Sequence, residues 1–400
     1  MTLRDTVELL IREWDAHEKA RGASTIIDFD CLPDTAPADI TPAESRLDVY
    51  HQLRDLLADA ERDGNRPLSD RLRADIAYVS ALLGERQPLD DYLTATQGCP
   101  AAGWPDDYVT AIGERAKSAL ADLGIGWSAD TDAEMTKAEG PIDITDAPDA
   151  IRAAAADREP IAREVTGTTA PYTLTITTDD VDAYWAYWLD GAGSALRLRF
   201  NRRRATFTQV RIRQFAQHEI LGHALQCATY AAQARATDVP WVRLFSVHTP
   251  REIMSEGLAQ AFPLILSPND APLVARVRLD HYLQLVRAEL HRAINAGAAI
   301  PDCIDHARAR VPWWTPAVIG DILTDRNTDP LLRSYLWAYP AGIDWFVTLA
   351  DTADPTTVGE VLRAAYTQPL TPADLTTLWP TGPTCGGPGA PLRLRKPPLP

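Results

Sequence analysis

Two histidines and a glutamate stand together at His218-Glu219-Ile220-Leu221-Gly222-His223. Neutral imidazole nitrogens are good ligands for a divalent metal. A carboxylate beside them is placed to take a proton from water at an open coordination position. This is the zinc-hydrolase arrangement of residue types on a helix. The spacing, however, is i and i+5. Side chains at i and i+4 lie about 40° apart on an ideal helix, and those at i and i+5 about 140° apart. The imidazoles meet only if the helix absorbs one extra residue, as a π-turn does. A bulge is therefore expected between Glu219 and His223, with Gly222 the residue that lets the backbone deform. The chain has only 8 His and 16 Glu in 400 residues, so composition does not produce the grouping.

A zinc site needs a third protein ligand. Thr249-Pro250-Arg251-Glu252 reads as a helix start, with Thr as cap, Pro at the first position and Glu at the third. Glu256 lies one turn further in, within Ser255-Glu256-Gly257-Leu258-Ala259-Gln260. The following Gly and Ala permit close packing, which suits Glu256 as the carboxylate ligand. Gln260, one turn on, is the candidate to hydrogen-bond a ligand imidazole, and Glu252 is its competitor.

The elements that must position these residues are mostly helical. Leu47, Tyr50, Leu53, Leu56 and Leu57 recur at threes and fours, as do Leu72, Ile76, Val79, Leu82 and Leu83. Residues 129–150 read as an acidic, turn-rich loop or weak helix. Tyr172, Leu174 and Ile176 then alternate with threonines, and Leu196, Leu198 and Phe200 with Arg197 and Arg199. That period of two predicts strands near 172–178 and 195–201. A short aromatic helix, 180–189, is expected between them. Thr206 and Gln209 suggest the capping box that starts the metal helix. The expectation is a mainly α protein with a small antiparallel sheet beside that helix. The organisation read from the pattern is an N-terminal helical region, 1–165, a catalytic region, 166–376, and a Pro/Gly-rich tail, 377–400, expected to be disordered.

The charge balance, 39 basic against 55 acidic residues for a net −16, argues against nucleic-acid or anionic-membrane partners. No stretch approaches the ~18 apolar residues of a membrane span. The first twenty residues lack the apolar core of a signal peptide, and the five scattered cysteines suggest no disulfide framework. The expected compartment is the cytoplasm.

His218–His223 is similar to the His-Glu-Leu-Leu-Gly-His motif of dipeptidyl peptidase III, and the chain resembles the gluzincin metallohydrolases. Its wider context resembles the bacterial domain of unknown function 885 family. The shared landmarks are Leu189-Asp190-Gly191, Arg199-Phe200-Asn201, Glu256-Gly257-Leu258-Ala259, Tyr339-Pro340-Ala341-Gly342 and Gln368-Pro369-Leu370-Thr371, spanning about 170–375. The departures are Leu221-Gly222 where the family has Pro-Gly and one more residue, Leu258 for Trp, Phe346 for Tyr, and no His at the place soon after the Gly297 region where the family has one. The resemblance implies a gluzincin-like fold. It also implies that substrate backbone lies along a sheet edge beside the metal, for which the Leu196–Phe200 strand is the candidate.

The supporting residues are less specific. Seven arginines lie within 197–213, a stretch without acids. A solvated face explains most of them, while one or two can clamp a substrate carboxylate. Arg197, Arg199, Asn201 and Arg211 are the candidate substrate-binding residues. Tyr335, Tyr339 and His248 are candidate oxyanion donors, although packed aromatics and a solvated loop histidine are the plainer readings. His281 and His291 read as helix-surface residues. Trp185, Trp188, Trp313, Trp314, Trp337 and Trp345 can line a pocket or fill a core. The expected activity is a zinc-dependent peptidase or amidase acting on a short peptide or acyl-amino acid, with Glu219 as base. The alternatives are a diverged lyase or cyclase using the same zinc site, and a non-catalytic metal-stabilised protein.

Overall fold

The computed structural model describes residues 2–182 and 186–396. It is mainly helical, with one five-stranded mixed sheet and a two-stranded antiparallel ribbon. The strands are β1 (Phe29–Asp30), β2 (Pro141–Ile142), β3 (Thr173–Asp179), β4 (Tyr187–Ala192), β5 (Ala195–Asn201), β6 (Phe207–Thr208) and β7 (Leu244–Phe245). The sheet order is β3-β5-β4-β1-β7, and β2 pairs with β6.

The two strands expected from alternation are present, but they run parallel to each other. The chain leaves β3, forms β4, and returns through a tight turn as β5, antiparallel to β4 and inserted beside β3. Gly193, at φ +58, makes that turn in a region L-residues avoid. The aromatic segment expected as a helix instead supplies β4, whose residues from Tyr187 pair with β5. Residues 183–185, including Trp185, lie outside the described residues. The alternation itself holds. Leu196, Leu198 and Phe200 are buried, while Arg197 and Arg199 reach across to Asp190 on β4 at 2.9 and 3.0 Å.

The sheet fastens the metal helix. Phe200 at the end of β5, Phe207 on β6 and Phe215 pack with ring centroids 5.3–5.6 Å apart. Such aromatic clusters bury large area in defined geometry. Thr208, rather than Thr206, caps the helix that begins at Gln209, accepting the Arg211 N–H at 3.0 Å. Its hydroxyl donates in turn to Glu139 at 2.6 Å, and Glu139 also holds Arg276. Glu139 ends the helix Thr131–Glu139, inside the stretch read as a loop or weak helix.

Helix Glu252–Leu266 carries Glu256, the candidate third ligand, and crosses helix Ala338–Thr352 at Gly257 and Gly342, where a Cβ on either would overlap the other's backbone. The crossing brings Tyr335 and Tyr339 beside Glu256. The expected Thr249 cap is absent: Thr249 donates its hydroxyl to the Ser246 carbonyl, and the regular helix starts at Glu252.

The N-terminal helices build a second hydrophobic cluster around Val7, Ile11, Trp14, Leu53, Leu72 and Tyr78. The tail is ordered as far as it is described. Cys385 is buried, the Gly386 carbonyl accepts the Gly103 N–H at 2.8 Å, and Arg395 pairs with Asp106. No helix among the described residues is long and apolar enough to cross a membrane.

Gly257→Ala is expected to lower stability by about 1–3 kcal/mol through overpacking. Gly320→Ala, at an exposed helical position with open space around it, should instead raise stability by about 0.5–1 kcal/mol. Urea denaturation of both variants checks the pair, and equal effects would contradict the close crossing.

Candidate metal centre

The helix from Gln209 widens into a π-segment, Ala216–Ala224, before resuming as Leu225–Ala236. The Leu225 N–H reaches back five residues to the Ile220 carbonyl. Three neighbours support the widened backbone. Gly222 sits against Ala259, which a Cβ would meet at 2.8 Å. Tyr366 donates its hydroxyl to the Leu221 carbonyl, and Gln217 donates to Ser267 at 3.0 Å. The bulge expected between Glu219 and His223 is therefore present and longer than one turn.

Its consequence is geometric. The Nε2 atoms of His218 and His223 are 3.1 Å apart, with the rings nearly perpendicular. Glu256 Oε2 lies 3.6 Å from one and 3.7 Å from the other. Donors held tetrahedrally at about 2.0–2.1 Å from zinc lie about 3.3 Å apart, so the triangle has the right scale. Glu256 Oε2 is buried and has no hydrogen-bond partner. A buried carboxylate oxygen facing two imidazole nitrogens calls for a cation. The donor set thus fits Zn²⁺.

The surrounding hydrogen bonds orient the ligands. Ser255 Oγ lies 3.2 Å from His223 Nδ1, which can donate to it and leave Nε2 as the lone-pair donor. Tyr335 donates to Glu256 Oε1 at 2.5 Å. Ser255 was not singled out from sequence, although it directly precedes Glu256. Gln260 bonds the Glu256 carbonyl at 3.2 Å rather than an imidazole, because a side chain one turn on reaches back to its own helix. Glu252 pairs with Arg251 at 2.9 Å and acts on His223 only through space.

Electrostatics separate the roles. Burial, then His223, pushes the His218 pKa down to about 4, so that ring is neutral. Burial acts against ionised Glu256, but His223, His218 and Tyr335 outweigh it and hold the carboxyl at about 2. Despite burial, Glu256 raises the His223 pKa. Glu219 behaves differently: burial, aided by Glu256 and opposed by His223, lifts it to about 7. Two carboxyls on one site, one held ionised and one poised near neutrality, is the pattern of a ligand and a base.

The site opens into a cavity of ≈ 280 Å³ lined by His218, Glu219, Gln260 and Tyr339, with Arg211, Asp280 and Gln284 among the polar residues. No tryptophan among the described residues lines it. Another cavity, of ≈ 210 Å³ around Trp241, Phe245 and Arg251, contains none of the metal-ligating residues. The one with the chemistry is the former.

Several expected residues fall elsewhere. His248 is buried against Asp75 at 2.8 Å and stacks on Tyr78, so it braces the N-terminal cluster rather than serving as an oxyanion donor. Arg197 and Arg199 pair with Asp190, and Asn201 is buried with its side chain accepting the Arg203 N–H. Of the four substrate-binding candidates, Arg211 alone lines the cavity. Strand β5 is paired on both sides, by β3 and β4, so it offers no edge to a peptide. His281 and His291 are buried, the former on Asp344 at 2.8 Å. Tyr335 is occupied by Glu256, which leaves Tyr339, 2.8 Å from the Tyr335 hydroxyl, as the phenol facing the cavity.

No family model matches the chain, and no curated protein does. Among solved structures it is similar to one from Colwellia psychrerythraea described as a "putative lipoprotein", at 15% identity and a TM-score of 0.52. The likeness covers 78% of this chain and 55% of that one, so the chain spans about half of its length. At this identity the likeness concerns the fold alone.

Tyr335→Phe and Ser255→Ala are each expected to weaken zinc binding about 10–100-fold, read by chelator competition. His248→Gln should lower thermal stability and leave zinc affinity unchanged. Zinc loss in that variant alone would contradict the assignment.

Proposed function

We propose that this chain is a zinc-dependent hydrolase of gluzincin type that cleaves an amide bond in a short peptide or acylated amino acid. The observation that carries the reading is Glu219, a partly buried carboxyl poised near neutral pH, beside the triangle of His218, His223 and Glu256 at the wall of a cavity. When bound, zinc supplies Lewis-acid polarisation of the carbonyl and acidifies water.

The chain's own residues account for the remaining steps. Glu219 accepts a proton from the attacking water and returns it to the departing amine. Its raised pKa suits both directions of transfer. Tyr335 donates its hydrogen bond to Glu256, so the Tyr339 hydroxyl donates to Tyr335 at rest. Burial and the neighbouring carboxylates keep both phenols protonated. A substrate oxygen that gains negative charge competes for the Tyr339 proton, and the resulting bond is stronger in the transition state than in the ground state. The cavity volume lies near the small end of ligand pockets, and no strand edge runs beside the metal centre on β5. Both features favour a short substrate over a protein.

Glu219→Gln is expected to retain one zinc per chain and to lose at least about 100-fold in kcat. Metal analysis and amide-hydrolysis assays on the same preparation check this. Full activity in the variant would falsify the mechanism. Chelation should abolish turnover, and added zinc should restore it.

A further inference from the structure

Helix Ala271–Asn295 presents Asp280, Gln284, Arg287 and His291 at steps of four, three and four, which is one stripe of its surface. Asp280 and Gln284 line the cavity that contains His218 and Glu219. Arg287 continues that stripe inward. Its guanidinium lies 5.4 Å from the centroid of the Trp314 ring, and among the described residues no carboxylate comes within ion-pair distance of it. The cavity residues Asp280 and Tyr187 act on it only through space.

A second guanidinium stands near. Arg326, which follows helix Pro316–Asp325, is 5% exposed, and its side chain makes a single long bond, Nη1 to the Ile322 carbonyl at 3.5 Å. Burial, and next the charge of Arg287, push its pKa down to about 9. On the same stripe, Gln284 Oε1 and both ring nitrogens of His291 are buried without partners. Buried arginines are ordinarily paired with acids. This chain has 55 acids, and elsewhere it buries arginines in ion pairs, as in Arg71–Asp75, Arg276–Glu139 and Arg310–Glu289. Here a partly buried Arg287 and a buried Arg326 lie without an ion-pair partner among the described residues, the first on a stripe that leads to the cavity.

We propose that Arg287 and Arg326 form the subsite for a carboxylate on the substrate, beyond the Asp280 and Gln284 wall of the cavity that holds His218 and Glu219. The inference rests on the amide-hydrolase reading of that cavity and specifies its substrate class as N-acyl amino acids or short peptides with a free acid. Guanidinium forks match a carboxylate with two parallel N–H···O bonds, and the low-polarity surroundings strengthen them. Exposed Arg211 at the cavity wall attracts the same anion without burying it.

The test compares two substrates on the zinc-loaded protein: an amino-blocked dipeptide with a free carboxylate, and the same dipeptide amidated. The wild type is expected to favour the acid. Arg287→Met should lower kcat/KM for the acid about 10–100-fold, mainly through KM, and leave the amide within about twofold. Arg287→Lys should fall between them. Equal loss on both substrates, or none on the acid, overturns the subsite while leaving the hydrolase reading intact.

A second arm needs no turnover. Succinate should raise the melting temperature of the metal-free wild type, and this rise should vanish in Arg287→Met and Arg326→Met. Each variant should melt no lower than the wild type without succinate, because a cation without an acid partner, buried at Arg326 and partly buried at Arg287, has been removed. If no amide is cleaved but the succinate effect follows this pattern, the subsite stands and the hydrolase reading falls. No stabilisation of the wild type by succinate overturns the subsite.

Discussion

Two imidazoles five residues apart on one helix can face the same point only if the backbone takes up an extra residue, and that constraint governs the packing around residues 216–224. A widened helix has carbonyls displaced from their usual donors and a broader cross-section. Both must be accommodated. Gly222 removes the Cβ that would collide with Ala259, and Tyr366 supplies a hydroxyl to the Leu221 carbonyl. The segment also continues at both ends into ordinary helix, so its distortion is held between two regular turns. Without these supports, an α-helix of the same sequence would send His218 and His223 to different faces.

The second requirement is to bury a carboxylate where two histidines can meet it. Glu256 lies on a helix that approaches its neighbour at Gly257 and Gly342 more closely than any side chain would allow. That approach determines which groups surround the carboxylate. Tyr335 takes one oxygen, and the other faces the imidazoles without a partner. Backbone proximity, remote from the metal ligands in chemical type, thus sets the charge of the centre. Glu219, on the other wall, receives no comparable hydrogen bond from the described residues and is left near neutrality by burial.

The meeting of His218, His223 and Glu256 was legible because it depends on residue type and local spacing, which a helix converts directly into geometry. The π-segment was legible for the same reason, since no other local change reconciles i and i+5. Strand positions near 173 and 195 followed from a period of two, but their relative direction did not. It depends on β4, whose tyrosine- and tryptophan-rich segment suited a helix equally well, and on β1, two residues long and more than 150 positions earlier. His248 read as a loop histidine because its partner, Asp75, lies 173 residues away. The tail read as disordered by composition, yet its glycines admit close backbone contact with Gly103.

The arginines show most clearly where local pattern fails. The acid-free run at 197–213 drew attention as a possible clamp, but in the folded chain acids from elsewhere answer part of it: Asp190 meets Arg197 and Arg199, Asp180 meets Arg203, and Asp270 meets Arg213. Those pairs are largely exposed, where charge costs little to hold and contributes little. Arg287 and Arg326 lie in sequence contexts that contain acids, and Asp325 even adjoins Arg326. Folding separates the sites: the conspicuous arginines reach solvent and partners, while Arg326 is buried and Arg287 partly buried, neither with an ion-pair partner among the described residues. Net charge and charge runs therefore describe the surface of this protein. What its cavity recognises is decided by which cations the fold withholds from the acids beside them.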